Sequence, residues 1–325
     1  MPSLPRRQIL LGAAALATVP PRSNAADRPD PARFRAFLAS VAREATAAGV
    51  PAAVTGPALA NLTPSARVLA LTHAQPELTE TWDTYRASHV SARRVAQGQA
   101  LFTQDRVLFD AIATQYGVPA SVLLGIWGLE SNYGAFSGNF PVLRALATLG
   151  CYSDRPGLFR SELLAALHIL AAGMISPTRL TGSYAGAMGQ PQFLPSTYLK
   201  YAIDFDGDGT RDIWTDRSDV LASIANYLRG HGWQPGLPWG IAVTAPTGRS
   251  LPQGTTRDLS VWRQFGLRPL GFRLPPGNPP ATLYQPDTTT SDLFLLFTNF
   301  QVIRAYNRSS FYALAVGLLG HQVVE

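Results

Sequence analysis

The chain of 325 residues is long enough for one large or two modest domains, and its 46% hydrophobic and 15% charged residues exclude a disordered protein. The net charge of +6 is too small to indicate nucleic-acid binding, and it fits loose attraction to an acidic polymer as well as an ordinary solvated surface. The single cysteine, Cys151, excludes a disulfide framework and a cysteine-rich metal site.

Residues 1–25 have the features of an export signal. Arg6 and Arg7 precede an apolar run over 9–19, and the small residues of 23–25 are typical of a cleavage site. The paired arginines are also compatible with twin-arginine export of a folded protein. An uncleaved membrane anchor is the alternative, but an apolar run of roughly 11 residues is too short to span a bilayer. Cleavage would remove three arginines and lower the net charge from +6 to +3, and no cysteine near the site would carry a lipid anchor.

The rest of the chain is predicted to be mainly helical, because apolar residues recur at helical spacing. Ser218 is predicted to cap one of the helices, and Ser309 or Ser310 lies near the start of the last. The individual helices are predicted over 34–48, 105–116, 118–131, 161–172, 218–229 and 307–319. By contrast, residues 234–288 hold ten of the 26 prolines and several short apolar runs, which predicts a loop-rich or small β region.

Glu130 is the most informative residue, since it ends an apolar helical stretch and is followed by a polar turn that reaches Gly134. In a helix over 118–131, Leu123, Ile126 and Trp127 share its face. A carboxyl group on an apolar face is either paired or desolvated, and desolvation raises its pKa. Glycosidases obtain a proton donor in this way. A structural glutamate paired with an arginine is the alternative.

The segment 183–197 combines two glycines with two glutamines, Gln190 and Gln192. The glycines permit close backbone approach, and the glutamine amides both donate and accept hydrogen bonds, as recognition of sugar hydroxyls and amides requires. A glycine-rich turn without a polar role is the alternative.

The segment 204–212 matches the opening of a calcium loop, with carboxylates at positions 1, 3, 5 and 9 and glycine at position 6. Thr215 stands where a closing glutamate is usual, which leaves Asp216 and Asp219 as candidates for the last carboxylate. A solvated acidic turn is the alternative.

A fourth segment, 299–312, is polar and aromatic and precedes an apolar helix. Its aromatic residues fit either a protein core or a sugar-binding wall.

In this order and at these spacings, the segments resemble the lytic murein transglycosylase B family, closely over residues 80–233 and 291–325 and weakly elsewhere. The motifs that carry the resemblance are Gly128-Leu-Glu-Ser131 with Gly134, Gly186-Ala-Met-Gly189 with Gln192-Phe193, Ala225-Asn-Tyr-Leu228 with His231-Gly-Trp233, and Tyr306-Asn307.

The resemblance implies a mainly α protein with a lysozyme-like catalytic core, an additional helical region and a small loop-rich or β region. The implied segments are an export signal (1–25), a helical region (26–104), the catalytic core (105–233) with its calcium-type loop (204–219), a proline-rich β or loop region (234–290) and a closing C-terminal segment (291–325). No appended peptidoglycan-binding module is expected after the last helix.

Glu130 aligns with the family's single catalytic acid and base. Where the family pattern has two arginines ahead of a helix, this chain has Asp154-Arg155-Pro156, so only Arg155 carries over. Gln192 and Asn307 are expected to hold N-acetyl and hydroxyl groups. Phe193, Tyr227 and Tyr306 are expected to offer stacking faces for sugars. The complete set of implied substrate-binding residues is Tyr85, Arg155, Ser183, Gln192, Phe193, Tyr227, Tyr306, Asn307 and Tyr312.

The aspartate-rich segment resembles the family's calcium loop. The implied metal ligands are Asp204, Asp206, Asp208, Thr210 and Asp219, the last as the closing carboxylate. The ion is expected to be structural, and no cofactor is expected to take part in catalysis.

The resemblance implies a periplasmic lytic transglycosylase that acts on peptidoglycan glycan strands. It would cleave the β-1,4 bond between N-acetylmuramic acid and N-acetylglucosamine without water and leave 1,6-anhydro ends. A muramidase on the same scaffold is the nearest rival, and it would need a second carboxylate, for which Asp154 and Glu162 are poor candidates. A non-catalytic peptidoglycan-binding envelope protein is the other rival. Nucleic-acid binding and an integral membrane protein are not expected.

Overall fold

The computed structural model describes residues 29–73, 80–248 and 251–325, so the predicted export signal lies outside the described residues. The helices are α1 (Pro31–Ala47), α2 (Ala52–Ala60), α3 (Ala66–His73), α4 (Trp82–His89), α5 (Ala92–Gln104), α6 (Arg106–Tyr116), α7 (Ala120–Ser131), α8 (Val142–Tyr152), α9 (Pro156–Ala171), α10 (Pro195–Tyr201), α11 (Arg217–Gly230), α12 (Leu259–Gln264), α13 (Thr298–Tyr306) and α14 (Ser310–Val324). The strands are β1 (Phe140–Pro141), β2 (Thr181–Gly182), β3 (Gly240–Thr244), β4 (Thr256–Asp258), β5 (Arg268–Pro269), β6 (Pro280–Tyr284) and β7 (Leu293–Leu296).

The described residues fall into two compact units, each built from separate stretches of the chain. The first unit comprises 80–129 and 224–325, and the second comprises 29–73 and 130–223. Both units therefore differ from the contiguous segments that the sequence predicts. Within the described ranges, no single helix is long and apolar enough to cross a membrane.

The core of the second unit is formed largely by α8 and α9. Helix α8 is buried on all sides, with only Arg144 and Tyr152 left partly accessible, which is typical of a central helix. Cys151 is buried there as a free thiol. Helix α9 begins at Pro156, five residues before the predicted start at Ser161, because proline is favourable in the first turn of a helix.

The first unit contains a five-stranded antiparallel sheet with the strand order β4-β6-β7-β3-β5. One face carries an apolar cluster that includes Ile241 and Leu283 and is covered by Trp262 of α12. This sheet confirms a small β region after residue 234. Strand β7 lies beyond the predicted boundary at residue 290. A strand joins a sheet by hydrogen bonding to strands that are distant in the chain, and its own sequence does not reveal those partners.

The C-terminal helix differs from its prediction. It spans Ser310–Val324 instead of 307–319, and Ser309 caps it by accepting a hydrogen bond from the Tyr312 backbone N–H at 3.3 Å. A separate helix, α13, precedes it and ends at Tyr306.

Helix α14 packs against α7 at backbone distance. A Cβ atom on Gly125 of α7 would lie 2.1 Å from the Val316 carbonyl oxygen, and one on Gly320 of α14 would lie 1.8 Å from that of Ser121. Only glycine fits such an approach. This contact positions α7, the helix that carries Glu130.

Candidate active site and aspartate loop

Glu130 lies in the last turn of α7 and is half-buried. Leu123, Ile126 and Trp127, the residues predicted to share its face, are at most 1% exposed. The predicted helix over 118–131 is therefore confirmed, with its start at Ala120. The Glu130 carboxyl lies at the end of a helix, and the residues on the same face of that helix are in the core.

The backbone after Glu130 makes an unusual turn, here called the Glu130 turn (residues 130–134). Asn132, Tyr133 and Gly134 are all left-handed, with φ of 50°, 58° and 83°. The Gly134 N–H donates to the Ser131 hydroxyl at 3.0 Å and closes the turn. A left-handed conformation costs a non-glycine residue about 1–2 kcal/mol, and such strain concentrates at functional sites, where surrounding contacts maintain it.

The second motif packs against this turn. A Cβ atom on Gly134 would lie 2.4 Å from Gln190 Oε1, so any other residue would displace the end of the Gln190 side chain in addition to the strain from its φ. The Gln190 amide is held in place because its Nε2 donates to the Trp214 carbonyl at 2.9 Å. Gln192, itself left-handed with φ of 52°, donates from Nε2 to the Ser137 carbonyl at 3.0 Å. The structure therefore brings the first two sequence motifs together.

Three further predicted substrate residues lie in the second unit, in different environments. The Ser183 hydroxyl accepts the Ala187 N–H at 3.1 Å, within the turn of the Gly-Ala-Met-Gly motif. Phe193 is only 2% exposed and its backbone pairs with Met188, so its ring belongs to the core. The sugar-stacking role of Phe193 stays a prediction. Arg155 is exposed at the start of α9.

In the first unit the structure brings together Tyr227 and Tyr306, whose ring centroids are 4.8 Å apart. The Tyr227 hydroxyl donates to the Ala305 carbonyl at 2.8 Å. Tyr306 and Asn307 are half-buried at the end of α13, whereas Tyr312 is 4% exposed.

Tyr85, also in the first unit, is half-buried and its ring stacks on His89 at 3.9 Å. Burial lowers the pKa of His89, a change that the backbone carbonyl of Tyr85 partly opposes.

Glu162, one of the two candidates for the second carboxylate of a hydrolase, has a structural role. It is 5% exposed and accepts hydrogen bonds from the Ser196 backbone N–H at 2.9 Å and the Ser196 hydroxyl at 2.7 Å. These bonds join α9 to the start of α10. Asp154, the other candidate, is exposed.

The aspartate loop (residues 204–219) is organised by carboxylates that accept nearby backbone N–H groups. Asp204 accepts from Gly207 at 2.8 Å and from Gly209 at 2.9 Å. Asp208 accepts from both the backbone N–H and the hydroxyl of Thr210, at 2.7 and 2.6 Å. Hydrogen bonds from Thr210 lower the pKa of Asp208.

Three carboxylates of this loop converge. Oxygens of Asp204, Asp206 and Asp219 all lie within 4.8 Å of one another. Asp219 is 1% exposed, and burial raises its pKa to about 6 even though it accepts backbone N–H groups from Phe205 and Asp212. Clustered carboxylates repel unless a proton or a cation neutralises them, and oxygen donors are the ligands that calcium prefers. The residues therefore fit a calcium ion.

The structure also separates the two candidates for the closing carboxylate. Asp216 accepts the Asp219 backbone N–H at 2.9 Å and thereby caps α11. The prediction that Ser218 is this cap is wrong, since Ser218 lies inside the helix and its hydroxyl donates to Asp216 at 2.5 Å. Asp212, at position 9, forms an ion pair with Arg179 at 3.1 Å and lies outside the convergent group.

Two features of the site were missed in the sequence. The left-handed pair Asn132-Tyr133 was not predicted, although asparagine tolerates this conformation and Gly134 follows. Phe136, two residues beyond the Glu130 turn, is 64% exposed, and its exposure was not predicted. No local pattern distinguishes an exposed phenylalanine from a buried one.

Comparisons with known proteins identify the family. Residues 33–321 match the family model described as Transglycosylase SLT domain. Membrane-bound lytic murein transglycosylase B of Escherichia coli (strain K12) is 37% identical over 249 residues, which cover 74% of this chain and 67% of that protein.

Solved structures give the same result. SltB3 from Pseudomonas aeruginosa, in complex with NAG-NAM-pentapeptide, is 41% identical and superposes with a TM-score of 0.82 over 88% of this chain and 78% of its own. The same protein is also known in complex with NAG-anhNAM-pentapeptide. Escherichia coli Slt35 in complex with calcium is 30% identical, with a TM-score of 0.75 over 92% of this chain and 94% of its own.

These matches define the class of protein as lytic transglycosylases with a mainly α, lysozyme-like fold. The chain belongs to the transglycosylase SLT domain family. The predicted family, fold class and enzyme class are confirmed.

Proposed function

We propose that this enzyme cleaves peptidoglycan glycan strands between N-acetylmuramic acid and N-acetylglucosamine without water, with Glu130 as the single catalytic acid and base. The observation that carries the proposal is the strained Glu130 turn, held by Gly134 against Gln190 at the end of a buried helix. Membership of the lytic transglycosylase family supports the substrate class.

The position of Glu130 supports its role as a proton donor. The C-terminal end of a helix carries partial negative charge, which favours the neutral carboxylic acid over the carboxylate. The apolar residues on the same face of α7 act in the same direction, because they reduce solvation of the charge.

In the proposed reaction, Glu130 donates its proton to the glycosidic oxygen as the bond from that oxygen to C1 of the muramic acid breaks. The Glu130 carboxylate then takes the proton from the C6 hydroxyl of the same sugar, and the C6 oxygen forms a bond to C1. The products are a 1,6-anhydro sugar and a free hydroxyl on the leaving sugar. No water is consumed and Glu130 ends protonated, ready for another cycle.

Gln192 is assigned a polar contact with the substrate, and its geometry limits which atom makes it. Both hydrogens of its Nε2 have acceptors, the carbonyls of Ser137 and Gly189, at 3.0 and 2.8 Å. Gln192 would therefore contact the substrate through its carbonyl oxygen, which accepts from an N-acetyl N–H or a sugar hydroxyl. Ser183, Arg155, Tyr85, Tyr227, Tyr306, Asn307 and Tyr312 remain proposed glycan contacts.

A muramidase is the second candidate, and it requires a carboxylate to activate water. The hydrogen bonds between Glu162 and Ser196 argue against that role for Glu162. A binding protein without activity would have no need of a carboxyl group maintained at a strained turn.

Mass spectrometry of the soluble products from purified peptidoglycan tests the proposal. Muropeptides that end in 1,6-anhydro-muramic acid are expected. Products heavier by one water, with reducing ends, would identify a muramidase. A folded protein that releases nothing would indicate the binding protein.

We also propose that the aspartate loop binds a structural calcium ion through Asp204, Asp206 and Asp219, with Asp208 and Thr210 as further predicted ligands. The convergence of three carboxylates supports this, as does the complex of Slt35 with calcium. The ion would neutralise the loop and tie it to α11.

Action on peptidoglycan requires the enzyme to be in the periplasm, and we propose export by the predicted N-terminal signal. A precursor whose processed form begins near residue 26 is expected, and N-terminal sequencing of the exported protein checks the cleavage site.

A further inference from the structure

The two faces of the five-stranded sheet in the first unit are covered by different elements. Leu283 points to the face that is filled by the apolar cluster under α12. Thr282, its neighbour in β6, points to the opposite face, because side chains alternate along a strand. There its hydroxyl lies 2.7 Å from that of Thr256 in β4.

A cavity of about 330 Å³ lies over this face, bounded on its other side by α13, and its lining is mixed, since Leu296, Phe297 and Phe300 contribute apolar surface. Tyr284 and the two threonines line it from the sheet, and Gln301 and Arg304 line it from the helix. Its volume falls within the range of roughly 300–1,000 Å³ that is usual for ligand sites.

Arg304 gives this cavity a positive charge in a fixed position. Its Nη1 donates to Gln301 Oε1 at 2.9 Å, and its Nε and Nη2 both donate to the Arg308 carbonyl, at 3.1 and 3.0 Å. All of these acceptors are neutral. Within the described part of the chain, Arg304 has no ion pair with a carboxylate, and the residues that line the cavity include no acid.

A guanidinium has five N–H groups, of which these three hydrogen bonds use three. The side chain is therefore oriented by neutral groups and retains donors for an anion. Because the arginine is half-buried, an incoming carboxylate would form a charge-assisted pair at little further cost in side-chain entropy.

The cavity adjoins residues that are proposed to bind the glycan. Arg304 and Ser310 both line it, and Tyr306-Asn307 lies between them in the chain. Arg304 is two residues before Tyr306 on α13, which corresponds to a rise of about 3 Å along the helix axis. Side chains two positions apart point to different sides of a helix, so a ligand that extends from a sugar at Tyr306 would reach this cavity around the C-terminal end of α13, where Ser310 lines it.

We propose that this cavity binds the peptide that a muramic acid residue carries, with Arg304 as the counter-charge for the peptide's carboxylate. The proposal rests on the proposed function. A peptide supplies a carboxylate for Arg304 and amide groups for the Thr256, Thr282 and Gln301 side chains, whereas an unsubstituted sugar ring supplies no charge. Peptide-bearing strands are therefore the preferred substrate.

Kinetics on matched substrates test this proposal. The substrates are peptide-bearing glycan strands and the same strands after an amidase has removed the peptides. Arg304→Gln is expected to lower kcat/KM on peptide-bearing strands by about tenfold, mainly through KM, and to leave cleavage of peptide-free strands within about twofold of wild type. Arg304→Lys should recover part of the loss, because it keeps the charge but not the planar fork of donors.

Arg263→Gln is the matched control. Arg263 is exposed on α12, the helix that covers the other face of the sheet, so its loss removes the same charge without altering the cavity. It should leave both substrates unaffected. Thermal melting shows whether each variant folds. If Arg304→Gln does not fold, Thr282→Val removes one hydroxyl from the cavity and should lower kcat/KM on peptide-bearing strands alone.

An equal loss of kcat/KM on both substrates would overturn the proposal. It would mean that Arg304 contacts the glycan itself or the muramic acid carboxylate that peptide removal exposes. A folded Arg304→Gln variant that loses no kcat/KM on either substrate would also overturn the proposal. A wild-type protein that cleaves neither substrate would instead refute the proposed function.

Discussion

The aspartate loop and the Glu130 turn both present carboxylates, but they are built by different means. In the loop, Asp204 accepts N–H groups from Gly207 and Gly209, three and five residues away. In the turn, Gly134 lies against the side chain of Gln190, more than fifty residues along the chain. A loop that folds around its own side chains suits an ion, whereas a strained turn supported from a distance suits a carboxyl group that must keep one position during a reaction.

The largest expected effect is a loss of activity at Glu130, which would distinguish a catalytic carboxylate from a structural one. Glu130→Gln should lower the rate of strand cleavage by at least about a thousandfold, because the amide can neither donate nor accept the proton in transit. Its melting temperature should stay close to wild type. The rate is measured by release of soluble muropeptides, and near-normal release by a folded Glu130→Gln would remove Glu130 from the mechanism.

The aspartate loop should respond to calcium where the Glu130 turn does not. Free calcium at about 100 times its Kd should raise the free energy of unfolding by about 2.7 kcal/mol, seen as a higher melting temperature. Asp206→Asn removes one of the three convergent carboxylates and should abolish most of this increase. Asp208→Ala tests the fourth predicted carboxylate ligand, and this variant is also expected to lose most of the increase in melting temperature with calcium.

Asp110→Asn serves as the control for calcium, because Asp110 is exposed, lies outside the aspartate loop and forms its ion pair with Arg106 on the same helix. Wild-type melting that is indifferent to both calcium and a chelator would show that the loop is a solvated acidic turn.

Glu162 belongs with the aspartate loop in this comparison, since it also accepts a backbone N–H. Glu162→Gln should lower the free energy of unfolding by about 1–2 kcal/mol, because the bonds to Ser196 lose their charge-assisted character. Activity measured below the melting temperature should remain within about threefold of wild type. A thousandfold loss of activity in a folded variant would restore Glu162 as the second carboxylate of a muramidase.

The smallest expected effect is a difference between two glycines. Gly134→Ala and Gly207→Ala both place a side chain on a left-handed residue, and each should cost about 1 kcal/mol. At Gly134 the new Cβ atom also meets Gln190, which must move and lose its bond to the Trp214 carbonyl, for about 1 kcal/mol more.

A Cβ atom on Gly207 meets nothing within 4 Å, so the two variants share the backbone strain but not the collision. Gly134→Ala should also lower activity, whereas Gly207→Ala should not. Equal melting temperatures for the two variants would contradict the role given to Gln190.

Helices with clear end signals were predictable. The prediction of 105–116 agrees with α6 to within one residue, since Gly117 ends that helix in a left-handed conformation with φ of 71°. The cap of α11 was not predictable in the same way. Asp216 and Ser218 are both good capping residues, and only the packed structure selects between them.

The sheet was predictable as a region but not as a topology. Prolines and short apolar runs indicate strands and turns, yet they do not show that β7 pairs with both β3 and β6. Likewise, the environment of Phe193 depends on the elements that surround it. An aromatic residue beside a glycine-rich motif fits a sugar-binding face and a core position equally well.

The sequence by itself determined the family, the mainly helical fold, the helix that ends at Glu130 and the carboxylate spacing of the aspartate loop. Each of these follows from residues that are close together in the chain or from motifs that recur in a fixed order. The tertiary structure decided the support of the Glu130 turn by Gln190, the structural role of Glu162 and the cavity beside Arg304. These depend on contacts between distant segments, and packing selects one arrangement among the several that local sequence permits.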